Sequence, residues 1–291
     1  MSSAEPTLPA DTAIGRAALR VADVAPAIDF YRDVVGLAVL SRTDDRASLG
    51  VDDVSLLELR AAPEAPARRG AGLFHNAFRV PSRAALGDAL ARIRDRWELD
   101  GAADHGVSEA LYCSDPAGNG VEIYRDRPRR EWPIADDGRV AMVTAPLDLA
   151  AVTAATDGNV SAGGESTVPP GTDLGHVHLE VTALDPAREF YVETLGLRVR
   201  QEMDDSALFL AAGEYHHHVG LNTWNGRRKP AGGRGLDWFE LVVPDADALA
   251  AARDRLEAAG VGVADQAGVG ETVGFETADP DGIRIRLRAA T

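Results

Sequence analysis

The sequence predicts an α+β protein made of four βαβββ modules, in which the second half of the chain is a diverged copy of the first. Two repeated motifs predict the duplication. A Phe-Tyr-x-x-x-x-Gly-Leu segment begins at Phe30 and again at Phe190, and an Asp-Pro-x-Gly segment begins at Asp115 and again at Asp279. One such module cannot cover the face of its own sheet, so modules must pair into cupped mixed sheets around a central cavity.

Each module opens with an apolar or alternating strand that leads into a helix. The predicted opening strands are residues 17–21, 74–80, 177–181 and 238–243. In modules one and three the helix is predicted to end at Gly36 and Gly196, because glycine commonly terminates a helix. The modules then close on short strands, which are predicted at 47–49, 55–59, 207–210 and 216–221, or on the two Asp-Pro-x-Gly hairpins.

The repeats also predict the domain organisation. Modules 12–64 and 70–127 make up a first half, 1–127, and modules 172–226 and 233–291 make up a second half, 172–291. Residues 128–171 form a longer connection between the halves. In this connection 139–143 could add a strand, 147–155 could form a helical turn or two, and 157–164 are flexible by composition.

Composition narrows the class of protein and its partners. Of 291 residues 45% are hydrophobic and 26% charged, which favours a packed core over disorder. The net charge of -16 argues against nucleic acid or an anionic membrane as a partner. The N-terminus lacks a signal peptide, and the only cysteine, Cys113, cannot form an internal disulfide, so we expect a cytoplasmic protein. Lys229 is the only lysine, which suits either a high-salt cytoplasm or a GC-rich genome.

The stretch from His105 to Glu122 contains the clearest candidates for functional residues. It predicts a strand around Tyr112, a tight turn at Asp115 and a returning strand that begins near Glu122. His105, Tyr112 and Glu122 would lie on neighbouring strands and could converge on one small site, although an ordinary hairpin with an edge glutamate has the same pattern. The spacing resembles the signature of extradiol dioxygenases in the vicinal oxygen chelate superfamily. It departs at Ala103, where that family usually has Gly, Asn, Thr, Ile or Val.

The resemblance extends over nearly the whole chain and implies the vicinal oxygen chelate fold. In extradiol enzymes of this superfamily, two histidines and a glutamate hold Fe(II) and leave a face open for catechol oxygens and dioxygen. The matching metal positions in this chain are His75 and Glu122 in module two and His176 in module three.

The same positions in modules one and four carry residues that do not ligate metals. They are Arg16, Trp238 and Arg286, and arginine has no lone pair to offer. The resemblance therefore implies that module two pairs with module three and module one with module four. The single metal site would then form within one chain or by exchange between two chains.

The resemblance also assigns three catalytic residues. His217 matches an acid–base histidine, whereas His105 and Tyr112 match groups that hydrogen-bond the substrate. On a strand, His217 would point away from the face of His216 and His218. His178 shares a face with His176 and could replace it as a ligand.

The predicted function is that of a metal-dependent extradiol ring-cleaving dioxygenase, resembling the bacterial catechol 2,3-dioxygenases. Its substrates would be a small aromatic diol and dioxygen, with Fe(II) as cofactor, although Mn(II) suits the same ligands. Two alternatives stay open. One is a glyoxalase-type metal lyase or isomerase, which tends to use a further carboxylate where this chain has His217. The other is a non-catalytic small-aromatic binding or resistance protein. A homodimer is compatible with the sequence, and the ring substituents are not predicted.

Overall fold

The computed structural model describes residues 7–156, 167–266 and 274–290 and confirms the predicted α+β fold of four βαβββ modules. The first two modules comprise β1 (Ala13–Val21), α1 (Val24–Phe30), β2 (Ala38–Arg42), β3 (Arg46–Val51) and β4 (Val54–Ala61), then β5 (Gly72–Arg79), α2 (Arg83–Arg96), β6 (Gly101–Asp104), β7 (Ser108–Ser114) and β8 (Gly120–Asp126). The connection contains β9 (Ala145–Pro146) and α3 (Leu149–Ala154). The last two modules comprise β10 (Asp173–Glu180), α4 (Leu184–Arg188), β11 (Arg198–Met203), β12 (Ala207–Ala211) and β13 (Val219–Asn222), then β14 (Gly235–Val243), α5 (Ala246–Ala258), β15 (Ala264–Gln266), β16 (Gly274–Ala278) and β17 (Arg284–Ala289).

In the described part of the chain the strands form two mixed sheets. One has the order β15-β16-β17-β14-β1-β4-β3-β2, and the other has the order β11-β12-β13-β10-β5-β8-β7-β6-β9. The pairs β5–β8, β10–β13 and β14–β17 are parallel, whereas the hairpins that precede β8, β13 and β17 are antiparallel. Modules two and three, together with β9 of the connection, therefore supply the strands of one sheet, and modules one and four supply those of the other.

The chain divides into two compact units. One unit is Ala18–Pro66 with Phe74–Gly175, and the other is Met1–Ala17, Ala67–Leu73 and His176–Thr291. The domain boundaries at 127 and 172 follow the sequence repeats and stay a prediction.

In each unit, a buried hydrogen bond joins the two repeated motifs. The Tyr31 hydroxyl donates to Asp115 at 3.1 Å in one unit, and the Tyr191 hydroxyl donates to Asp279 at 3.1 Å in the other. The second carboxylate oxygen of each aspartate accepts backbone N–H groups of its own Asp-Pro-x-Gly turn. The helix motif and the turn motif of each unit are thus two parts of one contact.

A buried arginine stabilises the π-helical turn Tyr31–Val35, which directly follows α1. Arg92, in α2, is 2% exposed and donates to the carbonyls of Val34 and Val35. Burial lowers the pKa of its guanidinium to about 10. Gly36 follows with φ +95°, and a Cβ at this position would lie 3.1 Å from that guanidinium. Arg255 makes the matching contact with the carbonyl of Leu195 in the other unit. These bonds satisfy carbonyls that the helix end leaves without an intrahelical partner.

Asp279 gives the fold a predicted dependence on pH. Burial raises its pKa to about 7, whereas an unfolded aspartate titrates near pH 3.9. The folded state therefore retains a proton that the unfolded state has lost, and stability falls as the pH rises from about 4 to about 7. We expect Asp279→Asn to flatten this dependence and to raise the free energy of unfolding at pH 8 by roughly 1–3 kcal/mol. Urea unfolding at several pH values measures the effect, and Asp254→Asn on the exposed side of α5 is the control. An unchanged pH profile in Asp279→Asn would contradict the expectation.

Two local predictions differ from the structure. His216–His218 precede β13 instead of lying within it, so the strand alternation expected for the three histidines is wrong. Residues 139–143 form no strand beyond one bridge between Ile134 and Val140, and β9 is the strand found in the described part of this connection. The predicted helical turn is confirmed as α3, whereas 157–164 lie outside the described residues. None of the described helices has the length and apolarity that a membrane span requires.

Candidate metal centre

His75 and Glu122 lie side by side on the parallel strands β5 and β8. The register places His75 opposite Gly120 and Ala77 opposite Glu122. The Nε2 atom of His75 lies 3.0 Å from a carboxylate oxygen of Glu122, and the two residues are only 6% and 3% exposed. A Cβ at Gly120 would collide with the carbonyl of Phe74, so glycine is required beside His75. The fold thus holds one imidazole and one carboxylate together, away from water.

The start of β10 is fixed against the same strands. The Asp173 carboxylate accepts two hydrogen bonds from the Arg79 guanidinium, one of them at 3.1 Å. A methyl group at Gly175 would collide with the hydroxyl of Tyr124, so only glycine permits this approach. The next residue in the chain is His176, and it is buried.

Three buried side chains can supply metal ligands. One nitrogen each from His75 and His176 and one oxygen from Glu122 all lie within 4.8 Å of one another. Two imidazoles and one carboxylate suit a divalent iron or manganese ion. A buried carboxylate is also unfavourable unless a positive charge compensates it, and a divalent cation would do so. The donor set and its burial therefore fit a metal.

Tyr112 and His105 form a hydrogen-bonded pair next to Glu122. Tyr112 lies directly opposite Glu122 in the β7–β8 register, and its hydroxyl lies 2.7 Å from Nε2 of His105. Burial and the neighbouring Glu122 carboxylate raise the pKa of Tyr112 well above its usual value. The Tyr112 hydroxyl therefore keeps its hydrogen.

His217 packs directly on the candidate ligand His176. Their ring centroids are 4.1 Å apart, and the ring of Phe209 lies 5.2 Å from that of His217. The Nδ1 atoms of His216 and His217 are 2.8 Å apart. Sequence reasoning did not single out Phe209 or a supporting role for His216, since both depend on how residues 212–218 fold before β13.

His178 has a different environment from His176. Its ring lies 5.7 Å from that of Phe209 and 5.2 Å from that of Trp224. A Cβ at Gly220 would be 2.8 Å from this ring, so glycine makes room for it on β13. His178 does not belong to the group of ligand atoms found among the described residues.

The corresponding positions of modules one and four are occupied by charge pairs. Arg16 donates to Glu240 at 3.0 Å, and Arg286 donates to Glu276 at 2.9 Å. The guanidinium groups of Arg286 and Arg16 lie 4.0 Å and 5.5 Å from the ring centre of Trp238. Cation–π contacts and ion pairs fill these positions with positive groups that cannot ligate a cation.

Comparison with known proteins identifies the family. The model of the Glyoxalase/Bleomycin resistance protein/Dioxygenase superfamily matches residues 13–123 and 173–287. The chain belongs to this superfamily. Within it, the chain is 40% identical over 264 residues to the catechol-2,3-dioxygenase of Bacillus subtilis, covering 87% of this chain and 90% of that protein.

Solved structures of the superfamily share the fold. A candidate dioxygenase from Bacillus subtilis matches with a TM-score of 0.66 and 15% identity over 98% of this chain and 86% of its own. Glyoxalase I from Zea mays matches with a TM-score of 0.59 and 17% identity over 96% of this chain and 92% of its own. At these identities the structures establish the fold only.

Proposed function

We propose that this chain is a metal-dependent extradiol dioxygenase that uses dioxygen to cleave the ring of a catechol-type substrate. The observation that carries the proposal is the buried group of His75, Glu122 and His176 in a chain 40% identical to a catechol-2,3-dioxygenase. The lyase alternative favours a further carboxylate, whereas His217 stands beside this group.

The proposed ligands are His75, His176 and Glu122. Two histidines and one carboxylate are a donor set that would hold a divalent iron or manganese ion and leave coordination positions for substrates. When bound, Fe(II) or Mn(II) would act as a Lewis acid on the catechol oxygens and supply a site for dioxygen. We expect the bound ion to be Fe(II), and Mn(II) suits the same ligands.

The remaining residues orient the substrate and move protons. Tyr112, paired with His105, lies beside Glu122, and its oxygen would accept a hydrogen bond from a substrate hydroxyl. His217 would exchange a proton with the substrate through Nε2, since its Nδ1 faces His216. Imidazole suits this role because it ordinarily titrates near neutrality.

Oxygen consumption tests the proposal. We expect anaerobically purified protein, loaded with Fe(II), to consume oxygen and catechol in equal amounts and to form a yellow ring-opened semialdehyde. An oxygen electrode and visible absorbance follow the reaction, and protein loaded with Zn(II) is the control because zinc has no redox chemistry. Metal-replete protein that leaves a broad panel of catechols untouched would contradict the dioxygenase and favour the lyase or binding alternatives.

A further inference from the structure

Val143, in the connection between the two halves, contacts His105 of the candidate site through its backbone. Its carbonyl oxygen lies 2.7 Å from Nδ1 of His105, and its N–H donates to the carbonyl of His105 at 3.1 Å. Both backbone groups of Val143 are therefore used to hold a single residue of the site, although the Val143 side chain is 50% exposed.

Several contacts keep this part of the connection in place. Strand β9 pairs with β6, with Ala145 opposite Asp104. The indole N–H of the largely buried Trp132 donates to the carbonyl of Arg127 at 2.8 Å. Gly106 has φ +75°, and a Cβ there would lie 3.0 Å from the Pro133 ring. The approach of the connection to His105 is thus built into the fold and does not depend on an exposed side chain.

The Val143 carbonyl decides where His105 carries its hydrogen. A carbonyl oxygen can only accept, so Nδ1 of His105 must be the donor. In a neutral imidazole the other nitrogen, Nε2, is then an acceptor. The group 2.7 Å from Nε2 is the Tyr112 hydroxyl, which donates its hydrogen to the neutral His105 ring in this tautomer.

The direction of the hydrogen bond between Tyr112 and His105 determines whether Glu122 also accepts a hydrogen bond from Tyr112. Tyr112 has one hydrogen and two acceptors within reach, the imidazole of His105 and the carboxylate of Glu122. If His105 instead carried its hydrogen on Nε2, that N–H would donate to Tyr112, and the Tyr112 hydrogen would turn to Glu122. The carboxylate would then share its lone pairs between a hydrogen bond and the metal.

We propose that Val143 is a positioning residue of the active site, whose backbone carbonyl fixes the Nδ1–H tautomer of His105. This tautomer directs the Tyr112 hydrogen away from the candidate ligand Glu122 and leaves the Tyr112 oxygen as an acceptor for a substrate hydroxyl. The role of the Tyr112 oxygen as an acceptor for a substrate hydroxyl rests on the proposed dioxygenase function, whereas the tautomer of His105 does not.

The proposal is tested by making the Val143 carbonyl a weaker hydrogen-bond acceptor. Replacing Thr144 by its α-hydroxy acid converts the Val143–Thr144 amide into an ester, whose carbonyl is a poorer acceptor. The same change at Asp137 alters a carbonyl on the exposed turn of the connection and is the matched control. Long-range ¹H–¹⁵N NMR of the full-length chain, purified without added metal, reads the tautomer of His105. We expect Nδ1–H in the parent and in the control, and an increased share of Nε2–H in the Thr144 ester.

Kinetics of the metal-loaded protein provides the second readout. We expect the Thr144 ester to lower kcat by about 3–10-fold with little change in KM, as for one weakened hydrogen bond. In a His105→Ala background the ester should have no further effect, since its partner is gone. An Nε2–H tautomer in the parent, or an equal loss of kcat in both backgrounds, would overturn the proposal. If the parent cleaves no catechol, the proposed function fails, and the NMR result still decides the tautomer.

Discussion

His75→Ala and Glu122→Gln are each expected to abolish metal binding and, with it, turnover. Each change removes one of three ligands that lie within 4.8 Å of one another. We expect metal affinity to fall by more than about 100-fold, since even outer partners of metal ligands cost 10–100-fold when mutated. Metal content after dialysis and calorimetric titration with Fe(II) under anaerobic conditions measure the loss.

A double variant tests whether the three ligands act together. The double variant His75→Ala/His176→Ala should bind no less metal than either single variant, because ligands of one site act as a unit. Trp238→Phe, at the corresponding position of module four, is the control and should retain its metal. Adding Trp238→His to His75→Ala should not restore binding, because Arg286 and Arg16 flank that position. Full metal content in His75→Ala would contradict the proposed site.

His217→Ala is expected to separate metal binding from turnover. The His217 ring packs on His176 but does not belong to the group of ligand atoms found in the described residues. The variant should therefore keep its metal and bind catechol, while kcat falls by roughly 100-fold or more, as for a lost acid–base group. Metal analysis, anaerobic binding of catechol and steady-state kinetics distinguish these effects.

A neighbouring histidine provides the control for this experiment. His218 accepts the N–H of Ala212 through Nδ1, and the side-chain oxygen of His218→Asn can take over that bond. This variant should retain most of the turnover. Loss of metal in His217→Ala would instead place His217 among the ligands and displace His176 from them.

The sequence predicted the modules because repeats and strand periodicity are local signals. The proximity of His75 and Glu122 also follows from a simple rule, since the first and last strands of a βαβββ module pair in parallel. The assignment of His176 depended on resemblance to a family, because no local pattern links it to His75 and Glu122, which lie 101 and 54 positions earlier. It stays a prediction, as do the catalytic roles of His105, Tyr112 and His217.

What the sequence did not predict depends on packing between distant segments. Both halves show the Phe-Tyr and Asp-Pro-x-Gly motifs, yet only coordinates reveal that Tyr31 bonds Asp115 and that Tyr191 bonds Asp279. The stretch His216–His218 has the alternating apolar environment of a strand, but ring contacts with Tyr215 and the bond from Ala212 to His218 favour an irregular backbone. Val143 acts through its carbonyl, and every residue type offers the same carbonyl, so its side chain gives no signal.

In modules one and four, ion pairs occupy the positions that correspond to the proposed metal ligands. Arg16 and Arg288 share the buried carboxylate of Glu240, and Arg286 pairs with Glu276. Buried carboxylates need positive partners, which arginines supply in one sheet and which the proposed metal would supply in the other. The same strand positions can therefore hold either metal ligands or arginine–carboxylate ion pairs.

Anomalous diffraction at the iron edge locates the bound metal and identifies its ligands. Crystals of the full-length chain, loaded with Fe(II) under anaerobic conditions, should show one peak bonded to nitrogens of His75 and His176 and to an oxygen of Glu122. We expect bond lengths of about 2.0–2.2 Å, the range for imidazole and carboxylate ligands. A peak held by His178 or His217 in place of His176, a peak beside Trp238, or no peak in metal-loaded crystals would contradict the account.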